Sequence, residues 1–406
     1  MQAERGYAAV EISRRGAKRA QEGHPWVFDN EITGMEGVPE EGGLCDVRSP
    51  KGRYLGTGYY NSRSKIRVRI ISRNANDRFD EAFYRRRVAY AWQYRKAVMG
   101  GDLGCCRVIF GEADRFPGLT VDKFGDVLVS QCLSLGIEKI KGILYPLLAE
   151  ALEADGFPVR GIFERNDVKV RELEGLSQGK GWYPLPGRDA PGAAETVIEE
   201  NGIRYGVDFE NGQKTGFFLD QKYNRAAAAR LAPGRRVLDC FTHTGSFGLN
   251  CAKAGAALVR SVDVSETALA CARENARRNG LEGRVEYEQA NVFDLLPRLA
   301  QGEYDYIILD PPAFTKSSKT ADNAERGYKE INYRAMKALP RGGYLATCSC
   351  SHFMGDGRFR RMLQSAAQDA QVELRLIEAR AQAPDHPVLW NVPETDYLKF
   401  YLFQVV

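Results

Sequence analysis

Residues 236–248 read RVLDCFTHTGSFG. An apolar run closes on Asp239, and Gly245 and Gly248 then permit a tight turn into a helical stretch, GSFGLNCAKAG. The alternation repeats downstream. LVRSVDVS is followed by ETALACARENARRNG, RVEYEQANVF by a short helix, EYDYIILDPP by a helix through YKEINYRAMKAL, and then comes GGYLATCSCS. Strands alternating with helices of this length predict a doubly wound, mostly parallel α/β sheet. The last two strands, VELRLIEARA and DYLKFYLFQVV, have only the loop AQAPDHPVLWNVPETD between them. Without a crossover helix they are expected to pair antiparallel.

Ligands of open α/β sheets bind beyond the carboxyl ends of the strands, so those ends carry the functional reading. The first holds Asp239 and the Gly245 turn. The second, VDVS, ends with Asp263, a carboxylate able to accept both hydroxyls of a ribose. The third gives Asn291 in QANVFD, able to read an adenine edge. The fourth gives Asp310, followed by Pro311 and Pro312. Asp239 or Asp263 alone is also a plausible helix cap; four polar strand ends in succession say more. G-x-G-x-x-G is missing, and with it the pyrophosphate grip of a nicotinamide enzyme. A ribose-binding acid without a diphosphate loop points to a nucleoside-like cofactor lacking phosphates. S-adenosylmethionine fits, because carboxylates suit its cationic amine.

The whole chain has 406 residues, enough for two or three domains. No apolar run is long enough for a membrane span, and the first residues lack a signal-peptide core, so a cytoplasmic location without membrane partners is expected. Nine scattered cysteines and four histidines, with no CxxC, argue against a disulfide framework or a metal site. The net charge of +4 is concentrated in residues 1–73, with 13 Lys/Arg against 9 Asp/Glu. Short β-like runs fill that region. In KIRVRII the basic Lys65, Arg67 and Arg69 alternate with apolar residues, giving a half-exposed strand suited to RNA phosphates or simply to solvent. Helical patterns at 79–99 and near 137–154, with β-like runs between them, make the middle part α+β. GRDAPG (187–192) reads as a linker. The expected domains are 1–74, 75–190 and 191–406.

These motifs resemble those of class I S-adenosylmethionine-dependent methyltransferases: VLDCFTHTGSFG the first motif, DVSETALACARENARRNG the second, LDPPAF the fourth and CSCS the sixth. GHPWVFDNEI (23–32), FPGLTVDKFGD (116–126) and GQKTGFFLDQKYNR (212–225) resemble the bacterial branch that acts on large-subunit ribosomal RNA at cytosine C5. The resemblance implies a Rossmann-like, seven-stranded catalytic sheet behind an N-terminal β-rich PUA module and a central α+β domain. It also implies S-adenosyl-L-methionine as cofactor, ribosomal RNA as partner and a possible homodimer. Phe218 and Asp220, in the lead-in segment, join the expected cofactor contacts.

Methylating C5 of cytosine needs a thiolate to add at C6, because C5 alone is a poor nucleophile. TCSCSHFM (347–354) offers two cysteines. Cys348 still lies in the strand pattern and suits a buried packing role. Cys350 lies further toward the ligand edge in a Ser-Cys-Ser context like that of the PUA-bearing branch. Cys350 is the expected nucleophile and Cys348 the reserve. Asp310 is expected to hold the cytosine N3/N4 edge, Phe314 to stack on the base or to serve as core, and Lys316 to meet a flanking phosphate. His352 reads as a surface or capping residue. Cys240, Cys251 and Cys271 read as core. Two alternatives stay open: methylation of a purine nitrogen without a cysteine, and an RNA-binding protein with an inactive methyltransferase fold.

Overall fold

The computed structural model describes residues 6–189, 191–315 and 321–406. The chain divides into two compact units. The first comprises Met1–Thr196, Val207–Leu219 and Pro384–Thr395; the second comprises Val197–Gly206, Asp220–Ala383 and Asp396–Val406.

The second unit is built on seven strands: β1 (Arg236–Cys240), β2 (Leu258–Asp263), β3 (Val285–Gln289), β4 (Tyr306–Leu309), β5 (Tyr344–Ser349), β6 (Leu374–Arg380) and β7 (Lys399–Val405). Their order across the sheet is β3-β2-β1-β4-β5-β7-β6. The first five are parallel, and β7 runs antiparallel between β5 and β6. The sheet therefore has the expected doubly wound form with an antiparallel end. Because β1 to β5 run the same way, Asp239, Asp263, Asn291, Asp310 and Cys350 all fall at one edge.

The sheet is held by apolar burial on its faces. Every residue of β4 is buried. Helices α1 (Lys222–Ala229), α2 (Ser246–Lys253), α3 (Glu266–Arg278), α4 (Val292–Leu295), α5 (Ala321–Ala338) and α6 (Asp356–Ala370) connect or flank the strands. Tyr328, Ile331 and Met336 of α5 and Phe359, Met362 and Leu363 of α6 join Ile307, Leu309 and Leu345 in one core. Each such side chain contributes about 1.5–3 kcal/mol by leaving water. Helix α3 starts where Ser265 Oγ accepts the Ala268 N–H at 3.2 Å, and it ends in Arg277 and Arg278, which suit the negative end of its dipole.

In the first unit, residues 9–72 form a six-stranded sheet. Its order is Trp26–Phe28, Ile66–Ser72, Tyr54–Tyr60, Leu44–Arg48, Ala9–Ile12, Ile32–Glu36. Two of these strands, and the helix Arg14–Gln21, go beyond the β-like runs read from sequence. A three-residue strand is too short to display alternation, and the helix buries only Gly16, Ala17 and Ala20, which leave no apolar stripe to read. A second sheet orders Lys180–Tyr183, Gly161–Arg165, Val127–Cys132, Leu119–Phe124 and Cys105–Phe110, with helices Glu81–Val98 and Leu135–Glu153 beside it in sequence. Glu174, buried, ties the first sheet to this region. It accepts from Asn61 Nδ2 at 3.0 Å, from Arg69 Nη2 at 2.8 Å and from the Ser64 hydroxyl. The hairpin Glu195–Glu200/Ile203–Asp208 turns at Asn201 and Gly202, both with positive φ, as a two-residue Asn-Gly turn requires.

Among the described residues no helix is long and apolar enough to cross a membrane.

Candidate active site

Strand β1 delivers Asp239 into the second unit's core, 1% exposed. Its Oδ2 accepts the Thr242 hydroxyl and the Gly248 N–H, the latter at 2.8 Å. Its Oδ1 has no hydrogen-bond partner among the described residues. A buried carboxylate oxygen left unmet is costly unless a ligand meets it. The turn that follows is strained: Phe241 and His243 take positive φ values of 62° and 50°, and Gly245 follows at 86°. Non-glycine residues so held cost about 1–3 kcal/mol each and concentrate at functional sites. At Gly248 a Cβ would stand 2.4 Å from Ser261 Oγ and 3.0 Å from Asp239 Oδ2, so the glycine is what lets α2 sit against the acid.

The neighbouring strand ends add charge of the same sign. Asp263 Oδ2 accepts the His243 N–H at 2.9 Å, and its Oδ1 accepts the Ser265 N–H at 2.9 Å. Asp310 Oδ1 accepts from Gln221 Nε2 at 3.0 Å, and Gln221 is itself oriented by Asn224 Nδ2 at 2.7 Å. Asp220, also buried, accepts the Tyr397 hydroxyl at 2.6 Å. Burial pushes the Asp239 carboxyl up to about 7, with the Asp310 and Asp263 charges adding to it against the Thr242 and Gly248 hydrogen bonds. Burial and then the Asp220 charge push Asp310 up to about 6. An edge of four carboxylates, whose charges help raise Asp239 and Asp310, is matched by a cationic ligand. The unmet Asp239 oxygen, the acidic edge and the glycine turn therefore fit S-adenosylmethionine, with Asp220, Asp239, Gly245, Asp263 and Asp310 as the residues that would hold it.

Asn291 caps α4, its Oδ1 accepting the Phe293 N–H at 3.0 Å, which leaves its amide nitrogen and one oxygen lone pair for an adenine edge. Phe218 belongs to the first unit, where the Lys214 ammonium lies 4.8 Å over its ring. Lys65 is exposed and Arg67 half-buried, with Nη1 donating to the Asn61 carbonyl at 3.2 Å. Arg69 does not stand in that exposed row. Its side chain is 11% exposed, pairs with Glu174 at 2.8 Å and lies 3.6 Å from Glu112. Lys316 lies outside the described residues.

The two cysteines separate sharply. Cys348 is fully buried in β5, and burial with the Asp310 charge holds its thiol far above the ordinary range. Cys350, past the strand end, is half-buried, with Sγ 4.0 Å from the Pro311 carbonyl. The thiol thus lies beside the Asp310-Pro311-Pro312 strand end. Phe314 packs among Phe293, Phe241 and Tyr328, the last with centroids 4.6 Å apart, which is the core reading of the two. His352 is exposed, with its ring edge-on to Phe353. Cys240 and Cys251 are buried as expected, whereas Cys271 is exposed on α3 and corrects the core reading: it falls on the solvent side of that helix.

One neighbour was not legible as a site residue. Lys399, at the start of β7, is buried and pairs in register with Ser349. Its Nζ donates to the Ser351 carbonyl at 2.6 Å and to the Tyr397 carbonyl at 2.8 Å. Burial pushes this ammonium down to about 8, while the Cys350 sulfur, then Asp396 and Asp356, pull it back up. The available signal was a lysine opening the apolar run KFYLF.

Comparison with known proteins agrees with this geometry. Residues 190–404 match the S-adenosylmethionine-dependent methyltransferase model, and residues 10–73 match a PUA-like domain. The chain is 43% identical over 381 residues to ribosomal RNA large subunit methyltransferase I of Shewanella denitrificans, covering 93% of this chain and 94% of that one. It is 42% identical over 380 residues to the protein of the same name from Shewanella amazonensis, with the same coverage. Among solved structures, the candidate methyltransferase SMU.776, complexed with SAH, superposes with a TM-score of 0.81 at 20% identity over 98% of this chain and 100% of that one. A candidate SAM-dependent methyltransferase from Streptococcus mutans gives 0.79 at 21% identity with the same coverage. At that identity the likeness speaks for the fold.

Proposed function

The chain belongs to the S-adenosylmethionine-dependent methyltransferase family, with a PUA-like domain ahead of the catalytic one, and from that premise we propose that it methylates C5 of a cytosine in large-subunit ribosomal RNA. The observation that carries this reading is Cys350, a half-buried thiol 4.0 Å from the carbonyl of Pro311, beside the strand end whose Asp310 carboxyl burial pushes up to about 6.

When bound, the cofactor supplies an electrophilic methyl group on a sulfonium sulfur. The chain's own groups prepare the base. The Cys350 thiolate bonds to C6, and the electron pair of the C5–C6 double bond makes C5 nucleophilic. C5 takes the methyl group, loses its proton to a base, and the C6–S bond breaks to return the thiolate. Asp310, pushed up to about 6, can be protonated and donate to N3 as negative charge develops in the ring. Pro311 and Pro312 stiffen the adjoining loop and lack N–H donors. Lys399 uses two N–H bonds on the carbonyls of Ser351 and Tyr397, which fixes its charge beside the residue after Cys350. A fixed ammonium there favours the thiolate over the thiol. The target base has to leave its stack to reach this edge, at a cost of a few kcal/mol. Lys65 and Arg67 are the basic residues of the N-terminal sheet best disposed toward RNA phosphates.

The test is covalent capture. RNA carrying 5-fluorocytosine cannot release a C5 proton, so the wild-type chain should form a denaturation-stable adduct with it. The adduct should persist in Cys348→Ala and vanish in Cys350→Ala, with methyl transfer in the latter reduced more than about a thousandfold. Transfer at near wild-type rate by Cys350→Ala would sink the cysteine mechanism and favour a purine-nitrogen acceptor.

A further inference from the structure

A second cluster of chemistry lies in the first unit, apart from the residues assigned above. A cavity of about 310 Å³ is lined by Arg87, Tyr90 and Tyr94 of the helix Glu81–Val98, by Arg115, and by Pro387 and Leu389. That volume is at the lower end for sites that take small organic groups. Two features of its lining are unusual.

The first is charge. Arg115 lies beside Arg87 and Arg73, and burial together with these two charges pushes its guanidinium down to about 10. Among the described residues none of the three has a carboxylate within ion-pairing distance. Arg73 donates to the carbonyls of Ala20 and His24, and Arg87 to that of Ile71. The nearby acids have their ion pairs with other cations. Asp114, which also lines the cavity, is held by Arg95 through both oxygens, one at 2.7 Å, and Asp385 by the Arg107 N–H and His386. Asp77 faces Arg86 at 3.7 Å, and its charge also reaches Arg87. Arg115 also holds a left-handed backbone conformation, φ 64°, at the end of the short helix Gly111–Asp114. Glycine or asparagine meets that conformation with less strain, so an arginine there is kept at a local cost.

The second feature is exposed aromatic surface. Tyr90 is 57% exposed and Tyr94 39%. Trp390, next along the loop that supplies Pro387 and Leu389, is 95% exposed. Exposed aromatic rings beside guanidinium groups without an ion pair among the described residues combine the two contacts that single-stranded nucleic acid needs: stacking for a base and positive charge for its phosphate.

We propose that this cavity is an RNA subsite, in which Arg87 and Arg115 hold a backbone phosphate and Tyr90 or Tyr94 stacks on an unpaired base. The assignment rests on the reading of the chain as an RNA methyltransferase and adds a contact point distant in sequence from the catalytic motifs. An acidic protein segment would satisfy the arginines but would leave the tyrosines without a partner of matching shape.

Arg115→Gly is the decisive variant, because it removes the charge and the backbone strain together. Its melting temperature should be equal to or above that of the wild type, so lost binding cannot be ascribed to misfolding. Binding of the full chain to a fluorescent single-stranded RNA of about 20 nucleotides is measured across a salt series. Arg115→Gly and Arg87→Gln should each weaken binding by about three- to tenfold. Each should also lower the slope of log affinity against log salt by about 0.7. Tyr94→Ala should weaken binding with the slope unchanged. S-adenosylmethionine affinity should stay at the wild-type value in all three. Wild-type affinity and slope in both arginine variants would overturn the subsite, as would displacement of the RNA by polyglutamate at equal charge. A wild-type chain that binds the RNA yet forms no 5-methylcytosine would instead overturn the cytosine reading and leave the subsite standing.

Discussion

Lys399 brings a positive charge into the sheet where, among the described residues, no carboxylate pairs with it. Such a charge is expensive to bury, and its benefit is expected at Cys350. In Lys399→Met the pH midpoint for alkylation of Cys350 should rise by roughly one unit, equivalent to 1.36 kcal/mol of lost thiolate stabilisation. An unchanged midpoint, measured with Cys350 as the accessible thiol being followed, would reduce Lys399 to a structural role. The strand-end acids make a second prediction. Asp239 is raised to about 7 from an ordinary 3.8, so between those values the folded state binds more protons than the unfolded chain. Stability contributed by this group therefore falls as pH rises through that window. A cationic cofactor reverses the balance by favouring the carboxylate. Its affinity should rise about fivefold from pH 6 to pH 7, with protons released on binding and a plateau above pH 8. Calorimetry in buffers of different ionisation enthalpy reads both quantities, and Asp239→Asn should reduce the proton release to the share that Asp310 supplies. These acids were legible because each ends an apolar run. Lys399 was not, because a lysine at a strand start has no local signature of burial.

Among the elements, the turn from β1 into α2 is the most tightly determined. Gly248→Ala sets a methyl group against Ser261 and Asp239, and the helix has to shift to admit it. Overpacking of this kind costs about 1–3 kcal/mol, and cofactor affinity should fall with it because Asp239 loses its Gly248 N–H. Urea denaturation and cofactor titration would check the two effects separately. The parallel strands of this sheet were readable since their apolar runs are bounded by glycine, proline and aspartate. The strand Trp26–Phe28 and the helix Arg14–Gln21 were not, since neither carries enough apolar residues for its period to appear. Asn291 shows the limit from the other side. Its position after a strand was evident, but whether it reads a ligand or caps a helix depends on where α4 begins.

For the molecule as a whole, the first unit contains two sheets of separate sequence origin joined through buried polar groups. Glu174 is central to that junction. Glu174→Ala would leave Arg69 and Ser64 without their carboxylate acceptor and Asn61 with only the backbone carbonyl of residue 174, and Arg69 would keep only the longer contact to Glu112. A loss of about 3 kcal/mol is expected, a large share of a typical domain stability. If thermal unfolding of Glu174→Ala matches the wild type, the junction contributes little. The α/β pattern and its strand ends were determined by the sequence, because they arise from local periodicity and from turn residues acting on their neighbours. Tertiary structure alone decided that β7 enters between β5 and β6 and that Lys399 meets the segment after Cys350. It also drew Pro387 and Leu389 to the cavity shared with Arg87 and Arg115. The physical reason is separation along the chain. Cys350 and Pro311 are 39 residues apart, and Lys399 and Ser351 are 48. Contacts over such distances are set by how the packed core closes, and no periodicity in the sequence encodes them.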